Sequence, residues 1–248
     1  MIAHSHLTER IASLPADDAR ACVRLFTVAD AAGWITVPRS TFHSWVHGYE
    51  HRGRGGRAVV GAPIVLSLAA GRGQPAVPFL GFVEGLVLNA FRRTGVPLQR
   101  IRPALDRLDQ ELGLRHALAS DRLTTDGVEV LYDYGAVLDP EGIGQLVTVR
   151  SGQRVFAPVV REYLRRIRYA SDHWAEQVEL PGYAVARVSV DLRVAHGRPV
   201  LEPACIPVED VLHRWIAGDS LAELADDFGL SCAELEDVIR AATRRCGA

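Results

Sequence analysis

Two segments, one near each end of the chain, carry apolar or small residues at the same seven spacings. The first runs Val28, Ala31, Ala32, Ile35, Val37, Phe42 and Trp45, and the second Leu221, Leu224, Ala225, Phe228, Leu230, Leu235 and Val238. Such spacings put an apolar stripe on two short helices and an apolar anchor in the turn between them, the pattern of a helix-turn-helix. The two units differ on the exposed face of the second helix. The first offers Arg39, Ser40, Thr41, His43 and Ser44, groups that can meet phosphates and base edges. The second offers Glu234, Glu236 and Asp237, which a polyanion repels. One unit suits DNA and the other a protein surface, so the pattern predicts a regulator.

Composition removes several alternatives. The 28 basic residues are all arginine, a bias that GC-rich codon usage explains. Without lysine, a Walker A phosphate loop, a Schiff-base enzyme and a lysine general base are all unavailable. The cysteines Cys22, Cys205, Cys232 and Cys246 have no C-x-x-C spacing and read as buried or incidental thiols rather than ligands or disulfides. The start of the chain, Met1 to Pro15, lacks the apolar run of a signal peptide. The most apolar segment, Pro78 to Phe91, is interrupted by Glu84 and is too short to span a bilayer. The expectation is a cytoplasmic protein with no membrane contact and no cofactor.

The predicted class is mainly α with small β elements, α+β. Residues 1–25 read as a tail with one short helix, 26–118 as a winged helix-turn-helix domain, 119–195 as a mixed α/β region and 196–248 as a C-terminal three-helix unit. Thr27 can cap the first recognition-unit helix, and Pro38 suits the first turn of the next. The run from Gly48 to Arg57, rich in glycine and arginine, followed by Ala58-Val59-Val60, reads as a wing hairpin. Phe79, Phe82, Val83, Leu86, Val87 and Ala90 share one helical face. Leu98, Ile101, Leu105, Leu108 and Leu112 form a short seam, open either to internal packing or to dimerisation. Val128–Tyr134, Leu146–Phe156 (broken at Ser151-Gly152) and Val185–Val194 resemble strands, and Pro158–Tyr169 a helix bearing Arg161, Arg165, Arg166 and Arg168. Val208 to Ile216 predicts a helix ended by Gly218. The Ser220/Glu223 and Ser231/Glu234 pairs are capping boxes, and Gly229 sits where the turn needs positive φ.

From Pro38 to Arg57 four arginines, Arg39, Arg52, Arg54 and Arg57, face one acid, Glu50. The candidate DNA contacts are therefore Arg39, Ser40, Thr41, His43, Ser44, Arg52, Arg54 and Arg57. From Pro207 to Asp237 nine acids accompany one arginine, Arg214. Such a surface suits a basic protein groove that normally attracts RNA; a plain solvated helical unit or a homodimer contact is the alternative. His43, His47 and His51 recur every four residues, but no further ligand lies near in sequence, so no metal site is assigned. Asp121, Asp126, Asp133 and Asp139 match no nuclease spacing and read as turn and strand-end residues.

The segment from Val28 through Trp45, the wing, the helix from Phe79 and Arg93-Thr94-Gly95-Val96-Pro97-Leu98-Gln99-Arg100-Ile101-Arg102 resemble a MerR-type winged helix. That resemblance places the helix with Ser40-Thr41 and Trp45 in the major groove, although the long coiled coil of MerR sensors is missing. The C-terminal run from Gly197-Arg198-Pro199-Val200 to Phe228-Gly229-Leu230 is similar to a family of unknown function found in VapB-like antitoxins. It departs at Pro203-Ala204-Cys205, where a glycine-containing turn is usual. The resemblance implies an antitoxin that binds operator DNA as a homodimer or larger assembly and silences a PIN-domain ribonuclease toxin. Toxin contacts would then be sought among Arg161, Arg165, Arg214, Trp215, Glu234, Asp237, Arg244 and Arg245. The alternative is a stand-alone regulator whose C-terminal unit dimerises or senses a ligand. Neither reading is an enzyme.

Overall fold

The structure is a computed structural model that describes residues 14–15, 17–52, 58–93, 101–103, 105–106, 109–110, 115–125, 147–150, 153–156 and 158–246. After a short helix α1 (Ala19–Cys22), α2 (Val28–Trp34) and α3 (Arg39–His47) form the first helix-turn-helix. Thr27 caps α2 by accepting the Asp30 N–H at 3.1 Å. The turn closes through a bond from the Val37 N–H to the Ala32 carbonyl at 2.9 Å. Ala31, Ala32, Ile35, Val37, Phe42 and Trp45 are all buried, so the sequence stripe is the packed face. Strands β1 (Tyr49–Arg52) and β2 (Ala58–Gly61) pair antiparallel as a wing.

Helix α4 (Phe79–Arg93) is buried from Phe79 to Phe91, on every face rather than the single face expected. The reason is that it is covered on two sides. The α2–α3 unit packs on one, and α6 (Pro158–Arg165) brings Val160, Tyr163 and Leu164 to the other. A Cβ at Gly85 would stand 2.5 Å from the Phe42 ring, so glycine there is what lets α3 sit against α4. The two polar residues of α4 are accounted for. Asn89 donates to the Ile35 carbonyl at 2.9 Å, and the Glu84 carboxylate accepts the Leu66 N–H at 2.6 Å and meets His116 Nδ1 at 2.9 Å. Of the leucine-rich seam, Ile101 is buried and Leu105 packs on the same core. Leu98, Leu108 and Leu112 lie outside the described residues.

The expected Val128–Tyr134 strand also falls outside the described residues. A one-turn helix α5 (Arg122–Thr125) precedes the hairpin of β3 (Val147–Arg150) and β4 (Gln153–Phe156). The helix from Pro158 stops at Arg165, short of the expected Tyr169, because Ile167–Tyr169 is taken up as strand β5. It joins β6 (Ala175–Glu179), β7 (Val188–Asp191), β8 (Val200–Leu201) and β9 (Ile206–Pro207) in one antiparallel sheet of sequential order. The strand expected over Val185–Val194 is thus confined to Val188–Asp191. At the departure from the family pattern, Cys205 adopts φ 55°, the left-handed conformation that glycine takes without strain.

Three helices end the chain: α7 (Val208–Ala217), α8 (Leu221–Phe228) and α9 (Cys232–Cys246). Gly218 closes α7 at φ 108°, and Gly229 closes α8 at φ 63°. Both capping boxes form, Ser220 with Glu223 and Ser231 with Glu234. Leu224, Leu230, Leu235 and Val238 enter the same continuous core as α2 to α4, and α9 packs on α2.

Candidate nucleic-acid interface and C-terminal unit

The candidate contacts of helix α3 lie on the side that α4 leaves open. Its i, i+4 spacing stacks Arg39, His43 and His47 in one exposed row, with Ser40 beside them and Thr41 and Ser44 half-buried. The His43 and His47 rings lie 4.4 Å apart. Partial burial, reinforced by His43, lowers the His47 pKa, which keeps that ring neutral at physiological pH and able to donate or accept. Ser44 turns its hydroxyl back to the Ser40 carbonyl at 2.9 Å, leaving Ser40 the freer of the two. Pro38 precedes α3 and offers no side-chain cap to its first-turn amides.

The wing is held to this helix at its base. The Ile64 and Val65 amides both donate to the Trp45 carbonyl, at 2.8 and 3.1 Å. Arg102 donates to the Ala62 carbonyl and lies over the Tyr49 ring at 5.6 Å. Arg52 ends β1 opposite Ala58; Arg54 and Arg57 lie outside the described residues. A second loop, from Ser67 to Ala76, flanks the other side of α3. With Thr27, Ala29 and the Arg39–His43–His47 row it encloses a groove of about 650 Å³, whose rim carries exposed Arg72. Arg24 secures this loop through the Ala69 carbonyl at 2.8 Å. Arg72 was not among the expected contacts, yet Gly71-Arg72-Gly73 repeats the Gly53-Arg54-Gly55 pattern of the wing. That echo was the available signal.

The C-terminal candidates separate sharply. Arg161 and Arg165 are exposed on α6 and make no ion pair among the described residues. Trp215 is 38% and its neighbour Ile216 79% exposed on α7. Arg214 instead clamps its own unit, reaching Asp219 at 2.5 Å and Asp227 at 2.7 Å over the Phe228 ring. Two members of the expected acidic face are already engaged within the chain. Glu234 closes its capping box, and Asp237 is buried, accepting the N–H groups of Ala184, Val185 and Ala186 at 2.6, 2.7 and 3.1 Å. Sequence spacing cannot see the 184–186 loop that covers Asp237. Arg244 donates to the Gly182 carbonyl at 2.9 Å, and Arg245 to the Tyr183 hydroxyl at 2.7 Å while stacking on Trp34 at 3.8 Å. Both therefore fasten α9 to the rest of the fold. Among the described residues no three His, Cys, Asp or Glu side chains are grouped to hold a metal, and no helix is long and apolar enough to cross a membrane.

Residues 24–105, the α2–α3 unit with its wing and α4, match a family described as "Putative DNA-binding HTH domain". Residues 188–241 match "Protein of unknown function (DUF433)". Over 226 residues the chain is 43% identical to "Putative antitoxin VapB45" of Mycobacterium tuberculosis (strain ATCC 25618 / H37Rv), covering 88% of this chain and 94% of that protein. It belongs to the VapB45 antitoxin family. A second relative from the same strain, "Uncharacterized protein Rv2308", is 28% identical over 229 residues, covering 87% of this chain and 88% of its own. The crystal structure of Rv2018 from Mycobacterium tuberculosis superposes with a TM-score of 0.75 at 39% identity, over 89% of this chain and 99% of that one. The chain is an antitoxin-family protein with a helix-turn-helix DNA-binding domain.

Proposed function

We propose that this chain neutralises a PIN-domain ribonuclease toxin and represses its own operon, binding operator DNA through α3, the wing and the Ser67–Ala76 loop. The observation that carries the reading is the opposite character of two helix-turn-helix units built on one core. The first exposes Arg39, Ser40, His43 and, on its flanking loop, Arg72; the second exposes Glu223, Asp226 and Asp227. In this reading Arg39, Ser40, Thr41, His43 and Ser44 face the major groove. Arg52, Arg54, Arg57 and Arg72 neutralise the flanking phosphates. Two copies occupy a two-fold operator. The toxin, whose groove must be basic to hold RNA, meets the acidic C-terminal unit around Trp215, with Arg161 and Arg165 as the candidate partners of its catalytic carboxylates. The chain itself performs no catalysis.

The test has two arms. A labelled fragment of the chain's own promoter is titrated with the full-length protein at several salt concentrations. Arg39→Ala with Arg72→Ala should weaken binding by roughly tenfold or more and reduce the salt slope by about 1, for the one lost phosphate contact of Arg72. Unchanged affinity and slope would remove α3 and its flanking loop from the interface. Co-expression with the neighbouring reading frame should yield a stoichiometric complex without ribonuclease activity. Promoter binding without any such partner would make the protein a stand-alone repressor.

A further inference from the structure

The second cavity beside α3 has a different chemistry. It lies where the α2–α3 turn meets the Pro181–Tyr183 loop and helix α9, and encloses about 670 Å³. Its wall is apolar, built from Ala32, Val37, Pro181 and Ala241. Three arginines line it, Arg39 from α3 and Arg244 and Arg245 from α9. Several arginines of this fold meet a carboxylate: Arg20 has Asp18, Arg166 has Glu179, Arg193 has Asp191 and Arg214 has Asp219. These three meet none among the described residues. Arg244 and Arg245 are instead steered by uncharged partners, the Gly182 carbonyl, the Tyr183 hydroxyl and the Trp34 ring. Each such contact uses one of five N–H donors and leaves the others open to a ligand, although the Arg244 charge also acts on nearby Asp237. The volume falls within the roughly 300–1,000 Å³ of small-molecule sites, where an apolar wall with a few fixed polar groups is the usual construction.

We propose that this cavity is a binding site for a small apolar carboxylate. Its hydrocarbon body rests on Ala32, Val37, Pro181 and Ala241, and its carboxylate is held among the guanidinium groups of Arg39, Arg244 and Arg245. Arginine is the residue whose planar donor fork matches a carboxylate. Arg39 also opens α3, so an occupied cavity engages the first residue of the helix read above as the DNA contact and ties it to the C-terminal unit.

The test is calorimetric titration of the full-length protein, without DNA, with 1-naphthoate and its uncharged analogue 1-naphthamide. Its outcome is therefore independent of the DNA reading. One naphthoate should bind per chain, with the amide at least tenfold weaker. Gly33→Leu should abolish binding by filling the cavity from α2, where an added Cβ would meet only the Arg245 Cδ, at an ordinary 3.8 Å. Arg244→Gln should weaken naphthoate at least tenfold and leave the amide unchanged. If Gly33→Leu fails to fold by circular dichroism, Arg244→Gln alone decides. No saturable naphthoate binding, equal binding of the amide, or wild-type affinity in Arg244→Gln overturns the proposal.

Discussion

Asp237 is an acid on which the fold leans heavily, and its environment allows the cost of its removal to be worked out. Its carboxylate accepts three consecutive backbone amides, from Ala184, Val185 and Ala186, and ties α9 to the loop that leads into β7. Burial pushes its pKa up, but the three N–H bonds and nearby Arg244 together outweigh that, and the net shift is downward. A hydrogen bond to a charged group contributes about 1.5–3 kcal/mol, and a buried amide left without a partner costs about 1–3 kcal/mol. Ala186 is buried, whereas Ala184 and Val185 are exposed and their amides can turn to water. Counting the first in full and the others at a fraction, Asp237→Ala should destabilise by about 3 kcal/mol. Asp237→Asn, which keeps one acceptor oxygen, should cost about half as much. At this chain length 3 kcal/mol corresponds to a fall in Tm of about 6–12 °C.

The pH dependence gives an independent check. A carboxylate whose folded pKa is depressed stabilises the fold above its unfolded value of 3.8, and that stability is lost as pH falls through the folded pKa. Thermal melts followed at 222 nm from pH 7 down to pH 3 should show a wild-type Tm that drops at the acid end. For Asp237→Asn the difference from wild type should be largest at neutral pH and should shrink on acidification. A Tm shift for Asp237→Ala below about 3 °C, or a pH-independent difference for Asp237→Asn, would refute the argument.

Two further perturbations test the placement of α3. Gly85→Ala gains about 1 kcal/mol of helix propensity but drives a methyl into the Phe42 ring at 2.5 Å; the net result should be a loss of about 1–2 kcal/mol, read by urea unfolding, together with weaker operator binding. Glu84→Ala leaves the Leu66 amide without its carboxylate and His116 without its counter-charge, and should cost about 3 kcal/mol by the same measurement. Burial lowers the His116 pKa, yet the Glu84 carboxylate more than compensates and the net shift is upward. The stabilisation from protonated His116 is therefore complete below its unfolded value of 6.5 and fades as pH rises through the folded pKa. His116→Gln should remove that fade from the stability profile between pH 6 and pH 9, and an unchanged profile would sink the pairing.

How much of this could be read from the chain alone depended on whether the decisive contacts were local. Both helix-turn-helix units, the Thr27 cap, the two capping boxes and the positive φ of Gly229 are set within a few residues of one another, and the side-chain pattern encodes them directly. The exposed row on α3 followed from the same periodicity. Distant partners could not be read that way. Glu84 looked like an interruption of an apolar segment and is the acceptor for Leu66 and His116. Asp237 and Glu234 sat on the nominally exposed face of α9, and one is covered by a loop about fifty residues earlier in the chain. Arg244 and Arg245 read as candidate toxin contacts, whereas the packing of α9 on α2 turns them to Gly182, Tyr183 and Trp34. Sequence periodicity thus determined which residues form each helix and which side is apolar. Only the tertiary structure decided which polar groups on the remaining sides are left for a partner, because a buried hydrogen bond or stacked guanidinium depends on elements that meet in space and leave no mark in local spacing.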